Sequence, residues 1–186
     1  MQQKTSNRFS TKLLVYGAVL AALAIVFGRA TVMYLPPDGK YTLDKFVLFM
    51  SGMFFGPVLG AFIGFVADFL GGLLFGLGFT PQFCVPAVLF GFFGGLFQTY
   101  LKKKFTLVRL GFAYLFPTVL AAILYQSAAL ALTFYPSTFW INFKLYLFSR
   151  SIQFSIMLVV EVALIYFLLS KLNIFNRLGL WPSSKK

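Results

Sequence analysis

The apolar positions along the chain gather into six long runs, separated by short segments rich in Gly, Pro or Lys: residues 11–34, 42–55, 57–76, 83–101, 108–134 and 138–172. The runs are continuous and lack a period of two, so they predict helices and not the strands of an outer-membrane barrel. A helix needs about 20 apolar residues to cross a hydrocarbon core of about 30 Å, and six such helices fit into 186 residues. The stretch 42–76 is too long for one span, since at about 1.5 Å per residue it would run roughly 50 Å. Gly56-Pro57 supplies the break, because proline removes a backbone donor and crowds the preceding turn. We expect two helices there, the first of them short.

Inside this apolar pattern, glycine recurs every fourth residue. Gly52, Gly56, Gly60, Gly64, Gly72 and Gly76 share the spacing, and Asp68 takes the one remaining place. Residues four apart lie on one helix face. A stripe of bare backbone lets a neighbouring helix approach closely, which is how helices associate in lipid. An acid inside such a stripe is a functional-site hypothesis by default. The first run has its own small-residue pairs: Gly17/Ala21, Ala18/Ala22 and Ala24/Gly28. These pack within the bundle or dock another membrane subunit.

Composition agrees with a membrane protein. The chain is 60% hydrophobic and 20% aromatic, with 11% charged residues against roughly 25% in soluble domains. We read an all-α membrane protein of six transmembrane helices, forming one substrate-binding domain over residues 1–186. The start is polar and basic and has no small-residue cleavage site, so the run from Leu13 reads as a retained span and not a signal peptide. A formal net charge of +12 would suit nucleic acid, but the basic residues fall in loops between apolar runs. They follow the positive-inside rule instead, and we expect no nucleic-acid partner. Lys4, Arg8 and Lys12 precede the first run. Lys102, Lys103, Lys104 and Arg109 separate the fourth from the fifth, and Lys171, Arg177, Lys185 and Lys186 follow the sixth. Both termini are therefore expected on the cytoplasmic side. Cys84 is the single cysteine and there is no histidine. Neither a metal spacing nor a nucleophile motif is present, so no cofactor is called for and an enzyme is not expected.

The remaining charges lie within spans and should face protein, water or ligand. Arg29, Asp68 and Arg150 are placed toward the outer half, with Lys144 nearer the outer end of the last run and Glu161 deeper. Asp44 and Lys45 are expected to cancel at the rim, after an N-cap at Thr42. On the last helix Tyr146, Arg150, Gln153 and Met157 share a face, and on the fifth Gln126 and Thr133 do. Asp68 either neutralises Arg29 or Arg150 or meets ligand; Glu161 pairs with a cytoplasmic lysine or a polar neighbour. An excess of guanidinium suits a carboxylate, which arginine binds in bidentate fashion. Aromatics near the outer ends, including Tyr34, Phe75, Phe79 and Trp140, suit a flat ring. The expected ligand is a planar heterocycle with an anionic tail.

Six spans in under 200 residues, the small pairs of the first run, and Gly56-Pro57-Val58-Leu59-Gly60-Ala61-Phe62-Ile63-Gly64-Phe65-Val66-Ala67-Asp68 together resemble the substrate-binding S components of energy-coupling factor (ECF) vitamin transporters. Ser149-Arg150, followed by Gln153-Phe154-Ser155-Ile156-Met157 and Tyr166-Phe167-Leu168-Leu169, resembles the folate-specific branch. The resemblance implies a high-affinity pocket for folate near the outer face, with the loop after the first helix as its lid. It also implies docking through Gly17, Ala18, Ala21 and Ala22 onto a transmembrane coupling subunit shared with two ATPases. The chain has no Walker A motif, so ATP would be used in trans. An S component for another anionic or neutral vitamin, or a self-sufficient secondary transporter, is the alternative; no inverted repeat favours the transporter.

Overall fold

A computed structural model of the protein describes residues 11–30, 33–35, 39–75, 80–103 and 105–171. Phe79, Gly76, Lys104, Lys4, Arg8, Arg177, Lys185 and Lys186 lie outside the described residues. Helix α1 (Thr11–Ala30) leads into a two-stranded antiparallel hairpin, β1 (Met33–Leu35) and β2 (Gly39–Tyr41), in which Tyr34 pairs with Lys40. Helices α2 (Lys45–Phe55), α3 (Pro57–Leu74), α4 (Pro81–Leu96), the short α5 (Gln98–Lys103) and α6 (Leu107–Pro117) follow. A π-helical segment (Thr118–Tyr125) continues α6 into α7 (Gln126–Phe134), and α8 (Phe139–Lys171) ends the described chain. Four helical stretches are long and apolar enough to cross a membrane: Pro57–Leu74, Pro81–Lys103, Leu107–Phe134 and Pro136–Ser170; Leu14–Ala30 and Lys45–Phe55 are shorter apolar helices.

The six runs are helical, with four departures from the sequence reading. The first helix stops at Ala30, and the expected span to residue 34 gives way to β1. The second starts at Lys45; its N-cap is Asp44, not Thr42, and no side-chain cap bond forms. The fourth run divides at Phe97 into α4 and α5. The fifth is one continuous stretch, but after Pro117 its bonding shifts to the wider π pattern, as expected where proline withdraws a backbone donor.

The break at Gly56-Pro57 is where the sequence placed it. Gly56 has φ +88°, a conformation glycine adopts without strain. Its N–H donates to the Gly52 carbonyl at 2.8 Å, closing α2, and Pro57 opens α3 at a position where its missing donor costs nothing.

The glycine stripe is the seam on which α2, α3 and α4 meet. A Cβ at Gly52 would lie 2.0 Å from the Gly91 carbonyl oxygen, and one at Gly91 would lie 2.1 Å from that of Gly60. One at Gly64 would lie 2.4 Å from the Ala87 oxygen. The backbones therefore touch directly. Gly71 lies off the stripe and faces the Arg29 guanidinium of α1 instead. An aromatic core fills the space beside the seam: the Phe49 and Phe90 rings lie 4.9 and 5.5 Å from the fully buried Tyr114.

Two lengths position the candidate site. Helix α2 has 11 residues, about 16 Å at the α-helical rise, so it crosses only half of a core of about 30 Å. Its N-terminus, with Asp44 and Lys45, meets the side of α8. Helix α8 has 33 residues, about 50 Å, and passes that N-terminus on its way across. Strand β2 packs against α8 and runs into α2 within four residues, so the hairpin lies beside the α2 opening.

Candidate functional site

Where α2 begins, its first residue meets α8. The Lys45 ammonium lies 5.3 Å from the centroid of the Phe154 ring, and the Arg150 guanidinium lies 5.9 Å from the same centroid. One aromatic ring thus holds two cations by its quadrupole. Lys45 is not at the rim, as the sequence reading had it; its side chain is 13% exposed. It donates to Thr42 Oγ1 at 3.3 Å and lies 3.5 Å from Asp44 Oδ1. Arg150 is half-buried and forms no ion pair with a carboxylate among the described residues. Gln153 is buried one turn below, and the half-buried Tyr146 one turn above has its ring centroid 6.5 Å from that of Tyr135. The α2 N-terminus adds the positive end of a helix dipole to this cluster.

Deeper on α8, Glu161 is 1% exposed. Tyr114 Oη donates to its Oε2 at 2.6 Å, while Oε1 is left without a hydrogen-bond partner. Its partner is thus the polar neighbour and not a cytoplasmic lysine. Asp44 and Lys45 lie within electrostatic reach of it, so the α2 N-terminus sits between a cationic upper level at Arg150 and an acidic lower one at Glu161. On α7 the Gln126 Oε1 and Ser127 Oγ are also buried without partners, polar groups that ordinarily find one.

The other residues expected at the site are placed elsewhere. Arg29 lies against α3, its guanidinium 5.4 Å from the Phe75 ring. Asp68 lies on α3, within electrostatic reach of Cys84 on α4. Among the described residues an ion pair joins Lys45 and Asp44. Trp140 is 70% exposed and packs on Phe139 of its own helix, and Lys144 is exposed. Both sit near the N-terminal end of α8, ten and six residues from Arg150 along the helix. Tyr34 falls on β1 and Phe79 outside the described residues. The expected cationic excess therefore narrows to Arg150, with Lys45 as an addition the sequence reading missed. The signal for Lys45 was present: a helix of 11 residues cannot begin at the rim.

The small-residue pairs of α1 divide. Gly17 and Ala21 are buried, with a Gly17 Cβ meeting the Ile63 side chain at 3.4 Å, so this pair packs within the bundle. Ala18 and Ala22 are exposed. A groove of about 190 Å³ between α1 and α3 is lined by Gly17, Ala18 and Ala21 together with Leu14, Leu59 and Phe62.

The family model described as ECF-type riboflavin transporter, S component, matches residues 8–172. The chain belongs to this family. Among solved structures, the S component is similar to the one described as the crystal structure of FolT bound with folic acid, at 31% identity and a TM-score of 0.72. That match covers 87% of this chain and 94% of the other. Curated relatives include UPF0397 proteins of Streptococcus pneumoniae serotype 4 (strain ATCC BAA-334 / TIGR4) and strain ATCC BAA-255 / R6, each 27% identical over 95 residues. The match takes in 51% of this chain, which spans about half (52%) of the length of those relatives. The S component is a multi-pass membrane protein of a transporter family and not of an enzyme family, and it lies on the folate-like branch.

Proposed function

We propose that this S component binds folate from the outer side of the membrane, with its termini in the cytoplasm, and delivers it to a coupling subunit driven by two ATPases. One observation carries the ligand reading. Arg150 is a cation held against an aromatic ring at mid-membrane, with no acid of the described residues paired to it. An unbalanced guanidinium in a low-dielectric setting favours an anion, and a carboxylate can meet it with two parallel hydrogen bonds. Folate carries carboxylates and a flat pterin ring; Tyr146, Phe154 and Gln153 offer stacking and hydrogen bonding on the same helix face. Asp68 keeps a structural place in the seam. The folic acid in the solved relative supports the same ligand.

The name of the matching family favours a second reading, riboflavin, a neutral heterocycle that would leave Arg150 uncompensated. Calorimetric titration of the purified protein with folate, riboflavin and thiamine separates the two. Folate should bind tightest and thiamine, a cation, least. Tighter binding of riboflavin than of folate would refute the folate assignment while keeping the family. For docking we propose the exposed pair Ala18 and Ala22, since small residues let a partner helix approach closely. Ala18→Leu with Ala22→Leu should abolish co-purification with the coupling subunit and leave folate binding intact.

A further inference from the structure

A second groove, of about 570 Å³, runs between α5 and α6 at the end of the bundle that carries Lys102, Lys103 and Arg109. Its floor is aromatic. Phe97 and Phe116 meet edge to face at 5.9 Å, Tyr100 lies 6.4 Å from Phe97, and Phe112 opens to the surface at 68% exposure. Its mouth is cationic. Lys103, the last residue of α5, lines it and is exposed. Arg109, at the third position of α6, is held over the Tyr100 ring at 5.1 Å.

We propose that this groove binds a phospholipid with an anionic headgroup, an acyl chain lying on Phe97, Phe112 and Phe116 and the phosphate at Lys103 and Arg109. Helical spacing arranges the groove for such a molecule. Leu96, Tyr100 and Lys103 follow one face of α4 and α5, and Arg109, Phe112 and Phe116 follow one face of α6. Each face thus runs from apolar to cationic toward the end of the bundle, in the sense that a lipid runs from chain to headgroup. The hydroxyls of Thr99 and Tyr100 border the cationic end. No Asp or Glu occurs between Asp68 and Glu161, so no acid of α4, α5 or α6 balances the mouth. Basic pockets between spans at the cytoplasmic end of a bundle are where anionic headgroups bind. This groove is separate from the α1 groove and from the cluster at Arg150, and nothing in the ligand reading depends on it.

The test is native mass spectrometry of the full chain in detergent, with phosphatidylglycerol and phosphatidylcholine supplied at equal concentration. Phosphatidylglycerol adducts should dominate. Lys103→Gln, at an exposed position, should cut that preference about fivefold, and Lys103→Gln with Arg109→Gln about thirtyfold, from the typical contribution of each basic residue. Phe112→Ala, also at an exposed position, should weaken both lipids alike by removing chain contact. Equal adducts of the two lipids on the unaltered chain, as a groove shaped for a protein neighbour would give, overturn the proposal. So does an undiminished preference in Lys103→Gln.

Discussion

At the α3–α4 seam, where glycine brings two backbones together, a carboxylate, Asp68, lies within electrostatic reach of Cys84. At the α2–α8 junction two cations, Lys45 and Arg150, lie against the Phe154 ring, and Arg150 has no acidic partner among the described residues. Both places put ionisable groups inside the bundle, where each is costly. The seam is closed by direct backbone contact between α3 and α4. At the junction α2 is only 11 residues long, and its first residue meets the side of α8. An intramembrane charge therefore points to ligand only where the packing around it is interrupted; in a continuous seam it is part of the packing.

The largest effect is expected at the seam. Gly91→Ala would put a Cβ 2.1 Å from the Gly60 carbonyl oxygen, with Ala61 behind it. Backbone on the opposing helix cannot swing away as a side chain can, so the cost should reach or exceed the ~1–3 kcal/mol typical of overpacking. Thermal unfolding in detergent should show a fall of many degrees or a loss of folded protein. An unchanged unfolding temperature would mean that the α3–α4 contact is looser than described. Next comes Arg150→Ala, which should weaken folate binding by about thirtyfold or more, the scale for losing a desolvated charge-assisted contact. Its unfolding temperature should stay near that of the parent chain, since the guanidinium contacts a ring and no buried carboxylate. Unchanged calorimetric affinity would remove Arg150 from the site.

Much of this contrast was legible in the sequence. The every-fourth glycines announced a seam, and Gly56-Pro57 announced its hairpin, because both depend on local backbone rules that a sequence states directly. Arg150 could be named because helical spacing puts Tyr146 and Gln153 on its face. Depth was harder to read. Lys45 was assigned to the rim because an apolar run shows where a helix can exist, not where it begins relative to its neighbours. Trp140 and Lys144 share a helix with Arg150 but are exposed near its N-terminal end, which an apolar run does not reveal. Arg29 and Asp68 were each plausible as site residues by depth alone, and only the placement of Arg29 against Phe75 and of Asp68 near Cys84 separates them from it. The β1–β2 hairpin was missed because its strands are three residues each and sit among Pro36, Pro37 and Asp38, which read first as a turn.

Lys45→Gln should have an intermediate effect, a loss of about three- to tenfold in folate affinity. The amide keeps a donor near Thr42 but removes one of the two charges over Phe154. Asp44 then loses its partner, so a modest drop in unfolding temperature should accompany the loss. If affinity is unchanged and only stability falls, Lys45 serves the α2 terminus and the ligand contacts Arg150 alone.

The smallest effect on binding is expected at Asp68, although its place in the glycine stripe made it the most conspicuous acid in the sequence. Asp68→Asn removes the charge beside Cys84 with only a slight change in volume, so the seam should close as before. Folate affinity should remain within about twofold of the parent value, a difference of only ~0.4 kcal/mol. Cys84→Ala, made alongside, removes the other member of the pair on the α4 side and should have an equally small effect on binding. If Asp68→Asn instead costs more than tenfold while Cys84→Ala costs nothing, the carboxylate touches the ligand, and the line drawn here between seam and cluster is in the wrong place.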